Sequence, residues 1–128
     1  MDKTDQYILI VDDSETNLVL MQAVLRDKGY ATKSAKSAVH ALKMINDIQP
    51  KLILLDLVMP EINGQELLTK LKSNSLTSHI PVIIVSALTD SNIRKDCIEK
   101  GAVHYMTKPV KLDRLINEVQ NLLSGSCQ

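Results

Sequence analysis

Short aliphatic runs alternating with longer stretches of helical periodicity constrain this chain more than any other feature. Tyr7–Val11 (YILIV), Leu52–Leu55 (LILL), Val82–Val85 (VIIV) and Ala102–Met106 (AVHYM) read as strands. Three of them are apolar without alternation, as expected of strands covered on both faces. Tyr30–Ala35 (YATKSA) alternates small and polar residues, which suits a strand nearer an edge. Five helical stretches follow these strands in turn. The first starts near Ser14, with Leu18, Leu20, Met21, Val24 and Leu25 before Gly29. The second begins near Ser37, places Ala41, Leu42, Ile45 and Ile48 inward, and stops before Pro50. The third opens around Asn63–Gly64 and carries Leu67, Leu68 and Leu71. The fourth is capped by Asp90 or Ser91, carries Ile93, Cys97 and Ile98, and ends at Gly101. The fifth shows a broad apolar face of Leu112, Leu115, Ile116, Val119, Leu122 and Leu123.

Five strand–helix units in succession imply an α/β fold, a parallel sheet with helices on both faces. The expected strand order is the doubly wound 2-1-3-4-5, within one domain spanning 1–124 and followed by a loose tail, 125–128. In such sheets the chemistry gathers at the carboxyl ends of the strands, where the strand order reverses. Here the first strand runs into Asp12 and Asp13, the third into Asp56, the fourth into Ser86 and the fifth into Lys108. In the expected order these side chains share one crevice. Three carboxylates at one edge repel unless a cation offsets them. Oxygen ligands of that charge suit Mg²⁺ or Mn²⁺. Lys108 adds a positive charge and Ser86 a hydroxyl donor. A carboxylate beside a divalent ion, an ammonium and a hydroxyl is equipped for aspartyl-phosphate chemistry.

Composition removes other classes. Fifteen Lys and Arg balance fifteen Asp and Glu, which argues against nucleic acid or an anionic membrane as a bulk electrostatic partner. The absence of Phe and Trp, with three Tyr, argues against a base-stacking platform. The longest apolar run, Tyr7–Val11, is too short to cross a bilayer. Cys97 and Cys127 stand alone, and His40, His79 and His104 are scattered, so a zinc site is not expected. Two lone thiols without an export signal point to a reducing, cytoplasmic setting.

The segments ILIVDD at 8–13, LILLDLVMP at 52–60, Gly64, PVIIVSA at 81–87 and GAVHYMTKP at 101–109 resemble those of response-regulator receiver domains of two-component signalling. The resemblance covers essentially the whole chain, and it implies the flavodoxin-like (βα)5 receiver fold. By that resemblance Asp56 is the phosphoacceptor, while Asp12, Asp13, Asp56 and the carbonyl of Val58 hold Mg²⁺. Ser86 is the hydroxyl switch residue, Tyr105 the aromatic switch and Lys108 the phosphoryl-binding lysine, with a cis bond before Pro109. The implied partners are a histidine kinase or histidine phosphotransfer protein and a downstream protein or output domain, with phosphorylation-dependent homodimerisation open. Activation is expected to reshape the face formed by the fourth helix, fifth strand and fifth helix.

Apolar Val58 and Leu88 flank the expected path of the hydrolytic water and predict slow loss of the phosphoryl group. Leu18 and Val19, early in the first helix, are candidates for docking the phosphodonor. A fragment of a larger regulator or hybrid kinase fits the same sequence. A phosphatase of the haloacid dehalogenase type fits less well, because Val58 stands where its second Asp is needed. A flavodoxin-like cofactor site is disfavoured because Asp12–Asp13–Ser14–Glu15 would repel its phosphate.

Overall fold

The computed structural model describes residues 7–59 and 63–124. The elements, in chain order, are β1 (Tyr7–Val11), α1 (Glu15–Asp27), β2 (Ala31–Ala35), α2 (Ala38–Asp47) and β3 (Leu52–Leu55). They continue as α3 (Gly64–Ser73), β4 (Val82–Ser86), α4 (Ser91–Glu99), β5 (His104–Thr107) and α5 (Leu112–Ser124). All strand pairs are parallel, and the sheet order is β2-β1-β3-β4-β5, as the strand–helix alternation implies.

The period-two geometry of the strands sorts their aliphatic residues onto two faces. Leu9, Val11, Ile53, Leu55, Val82, Ile84 and Tyr105 pack with α2, α3 and Cys97 of α4. Ile8, Ile10, Leu52, Leu54, Ile83, Val85 and Met106 pack on the other face with α1 and α5. Both faces of the central strands are therefore dry, which explains why their sequences do not alternate. Ser14, Ser37, Asn63 and Asp90 cap α1 to α4, each side chain accepting a backbone N–H from the first turn.

Several expectations shift by one or two residues or by a face. β2 starts at Ala31 rather than Tyr30, and β5 at His104 rather than Ala102, for one reason. Gly29 (φ 94°) and Gly101 (φ 116°) end the preceding helices in the left-handed region. The next residue in each case, Tyr30 or Ala102, donates its N–H back to Leu25 or Cys97 and still belongs to the helix terminus. In α1 the buried stripe is Leu18, Met21 and Leu25, so Leu20, expected in the core, is exposed. Ile98 of α4 is also exposed, which leaves Cys97 as that helix's only fully buried side chain among the described residues. The tail 125–128, with Cys127, lies outside the described residues.

Candidate acidic crevice at the strand ends

Backbone bonds that extend the sheet ladder fix the directions of the key side chains. One residue beyond β1, Asp12 N–H donates to Ala35 O (3.0 Å). One residue beyond β3, Asp56 N–H donates to Val11 O (2.9 Å). Just past β5, Lys108 N–H donates to Ser86 O (2.8 Å). Side chains expected from the sequence to meet therefore start from registered positions on four strands.

Asp12, Asp13 and Asp56 each place a carboxylate oxygen within 4.8 Å of the others. Asp12 (1% exposed) and Asp56 (5%) are buried, whereas Asp13 is exposed. Asp12 accepts from Ser14 N–H (2.9 Å), the Asn17 amide (3.4 Å) and Lys108 Nζ (2.9 Å). Asp56 accepts from Val58 N–H (3.3 Å), and its Oδ2 lies 3.3 Å from Lys108 Nζ. Burial, and next the Asp12 charge, raise the Asp56 pKa above the usual carboxylate range, against the opposing pull of Lys108. Burial opposes the Lys108 charge, but its bonds to Asp12 and Asp56 outweigh this and hold its pKa above the ordinary lysine value. One ammonium thus serves two buried carboxylates and leaves Asp13 beside them. The oxygen set and its residual negative charge fit a hard divalent cation.

Ser86 is fully buried and its Oγ accepts from Leu88 N–H (3.1 Å). Tyr105 is buried too, with its hydroxyl donating to Leu88 O (2.7 Å). Burial raises the phenol pKa above its usual value. The backbone of Leu88 therefore ties the serine at the crevice to the tyrosine behind it. The Lys108–Pro109 bond is cis.

The paired candidates in α1 separate. Leu18 is 2% exposed and packs in the core, while Val19 is 59% exposed. Val58 has an exposed side chain and Leu88 a half-buried one. Sequence reading missed Asn17, whose position one turn into α1 brings its amide to Asp12. It also missed why Gly64 is a glycine. A Cβ there would sit 2.3 Å from the Asp56 carbonyl oxygen and 2.6 Å from Leu57 Cα. The start of α3 is thus pressed against the backbone that carries Asp56, with Gly64 N–H donating to Leu57 O (2.9 Å).

Comparison with known proteins agrees with this geometry. The polar-differentiation response regulator DivK of Brucella ovis is 32% identical over 93% of this chain and 97% of its own length. A probable cyclic di-GMP phosphodiesterase of Vibrio cholerae is 39% identical over 92% of this chain, which spans only 26% of that protein. The crystal structure of a receiver domain of a signal transduction histidine kinase from Syntrophus aciditrophicus superposes with a TM-score of 0.86 at 35% identity. It covers 93% of this chain and 90% of that one. The family model described as the response regulator receiver domain matches residues 8–120. The chain belongs to the response regulator receiver family of two-component signalling.

Proposed function

We propose that this domain is a phosphorylation-driven switch that takes a phosphoryl group onto Asp56 from a histidine kinase or a histidine phosphotransfer protein. The observation that carries this reading is the convergence of Asp12, Asp13 and Asp56 within 4.8 Å around a single bonded ammonium, Lys108. A divalent ion held by the three carboxylates and the Val58 carbonyl, Mg²⁺ or Mn²⁺, would supply positive charge to the acceptor and phosphoryl oxygens.

An Asp56 carboxylate oxygen forms the new bond to phosphorus. The donor's P–N bond breaks, and the imidazole leaves with the electron pair. Lys108 already lies against Asp56 and shifts to the phosphoryl oxygens as charge spreads over them in a loose transition state. The Ser86 hydroxyl donates to a phosphoryl oxygen and draws the Ser86–Leu88 segment toward the crevice. Because Tyr105 is bonded to Leu88 O, that movement is felt at the ring and at the α4-β5-α5 face. The leverage equals the difference in phosphoryl affinity between the two arrangements. Receiver domains act through such contacts with kinases and effectors. The exposed Val19 and Leu20 in α1, beside the crevice, are the docking surface proposed here for the phosphodonor.

Incubation with acetyl phosphate tests the reading. Hydroxylamine-sensitive, Mg²⁺-dependent phosphate incorporation that disappears in Asp56→Asn is the expected result. Incorporation that persists in Asp56→Asn overturns it.

A further inference from the structure

Helices α3 and α4 lie on the same side of the sheet and are bridged by side chains at both ends of α3. Gln65, the second residue of α3, donates from Nε2 to Asp96 Oδ2 of α4 (3.0 Å). Asp96 also pairs with Lys100 one turn further on (3.0 Å). The bonds from Lys100 and from Gln65 hold its pKa below the ordinary aspartate value. At the far end of α3 the Lys72 stem packs under Gly101, where an added Cβ would sit 3.2 Å from Lys72 Cγ and Cδ. The Lys72 ammonium donates to Ser78 O (3.0 Å) and Ile80 O (2.6 Å), which fixes that stem in place. The first turn of α3 is in turn seated on the acceptor segment. Gly64 N–H donates to Leu57 O, and no Cβ fits between Gly64 and the Asp56 carbonyl. One peptide unit therefore separates the contact on the Asp56 backbone from the bond to α4. Ser86, Leu88 and Tyr105 make none of these bonds.

We infer that Gln65 is a positioning residue for Asp56, one that couples the place of α4 to the backbone carrying the acceptor by a route separate from Ser86, Leu88 and Tyr105. Gln65 acts on the phosphoryl uptake proposed above for Asp56, so its role rests on that reading. Close-packed backbone atoms transmit a displacement instead of absorbing it, and at Gly64 there is no side chain between them. Because Lys72 holds the other end of α3, the helix cannot tilt away to take up the movement. A bond from an amide to a carboxylate is directional and charge-assisted, so it fits one arrangement of the two helices and weakens when they slide. The bond helps hold the acceptor backbone in the arrangement that takes the phosphoryl group. Coupling between sites is reciprocal, so the same bond is tighter in the phosphorylated domain. The Asp96 carboxylate is partly exposed, and such pairs add little to stability. The consequence therefore falls on reactivity more than on folding.

Gln65→Met removes the donor and keeps the length of the side chain. Phosphate uptake from acetyl phosphate at fixed Mg²⁺, read by intact-protein mass spectrometry, falls about fivefold while the melting temperature barely moves. Asp96→Ala matches that loss, and the double variant is no slower than either single one. Asp96→Asn, which keeps an oxygen for Gln65, retains the wild-type rate. In ¹⁵N spectra the Gln65 side-chain amide, assigned by its absence from Gln65→Met, shifts when the domain is phosphorylated and still shifts in Tyr105→Phe. Additive losses in the double variant overturn the inference, as does an Asp96→Asn rate as low as that of Asp96→Ala. So does an amide signal that stays put on phosphorylation, or one that moves only when Tyr105 is intact, because the bond then follows the route through Leu88. A wild type labelled on Asp56 beside a Gln65→Met variant labelled at the same rate refutes the role of Gln65 and leaves the switch standing. A wild type that acetyl phosphate never labels removes the switch and this role with it.

Discussion

Lys108 Nζ stands between Asp12 and Asp56, 2.9 Å from Oδ2 of the first and 3.3 Å from Oδ2 of the second. The same ammonium therefore holds the acidic pocket together and waits beside the acceptor oxygen. Lys108→Ala removes a donor aimed where charge develops, and phosphate uptake from acetyl phosphate should fall about a hundredfold at fixed Mg²⁺. Intact-protein mass spectrometry over time reads this. Unchanged uptake would assign the lysine a purely structural role.

Asp56→Asn should stabilise the metal-free domain. Burial and the neighbouring Asp12 charge both oppose ionised Asp56, so a neutral amide of the same shape relieves the strain. Chemical denaturation in EDTA should show a gain of about 0.5–2 kcal/mol. Saturating Mg²⁺ should shrink or reverse that gap, because only the wild-type site keeps its full carboxylate set.

Two glycines should fail differently. Gly64→Ala drives a methyl into the backbone of Asp56 and Leu57, atoms that cannot swing aside. It should cost about 1–3 kcal/mol and lower phosphate uptake together. Gly101→Ala instead strains a left-handed residue against the flexible Lys72 side chain. It should cost about 1 kcal/mol or slightly more, with uptake near wild type. Paired melting and labelling experiments separate the two.

Val58 is 54% exposed beside the acceptor, and Leu88 is half-buried beyond Ser86. Neither side chain can orient a water by hydrogen bonding. Val58→Asn or Leu88→Glu should accelerate loss of phosphate several-fold, as measured after removal of acetyl phosphate. A rate that does not rise rejects the account of slow reset.

Val19→Glu should weaken phosphotransfer from the cognate histidine donor about tenfold while leaving acetyl phosphate labelling intact. Leu18→Glu cannot serve as that probe. Leu18 is buried among Met21, Leu25 and the β1 aliphatics, so a charge there should unfold the domain. Equal loss of both reactions in Val19→Glu would remove α1 as a docking surface.

Much of the architecture was legible in one dimension. Runs such as LILL and VIIV read as strands buried on both faces, and five strand–helix repeats left few topologies. The strand ends by sequence alone point to Asp12, Asp13, Asp56, Ser86 and Lys108. Boundaries were less visible where a glycine turn returned the next N–H to the helix, as at Tyr30 and Ala102. Helix faces misled where apolar residues were adjacent. Leu18, Val19, Leu20 and Met21 are equally hydrophobic in sequence, and only packing decides which pair turns inward.

Periodicity and residue chemistry by themselves determined the fold class and the residues that share the crevice, because both follow from local pattern and strand order. Tertiary structure alone decided the interactions between segments distant in sequence. It placed one ammonium between two buried carboxylates, seated Gly64 against the Asp56 backbone and tied Ser86 to Tyr105 through Leu88. Among the described residues it also left Arg94, Lys111 and Arg114 without an ion-pair partner. These are relations of distance and desolvation between segments many residues apart, and no local pattern encodes them.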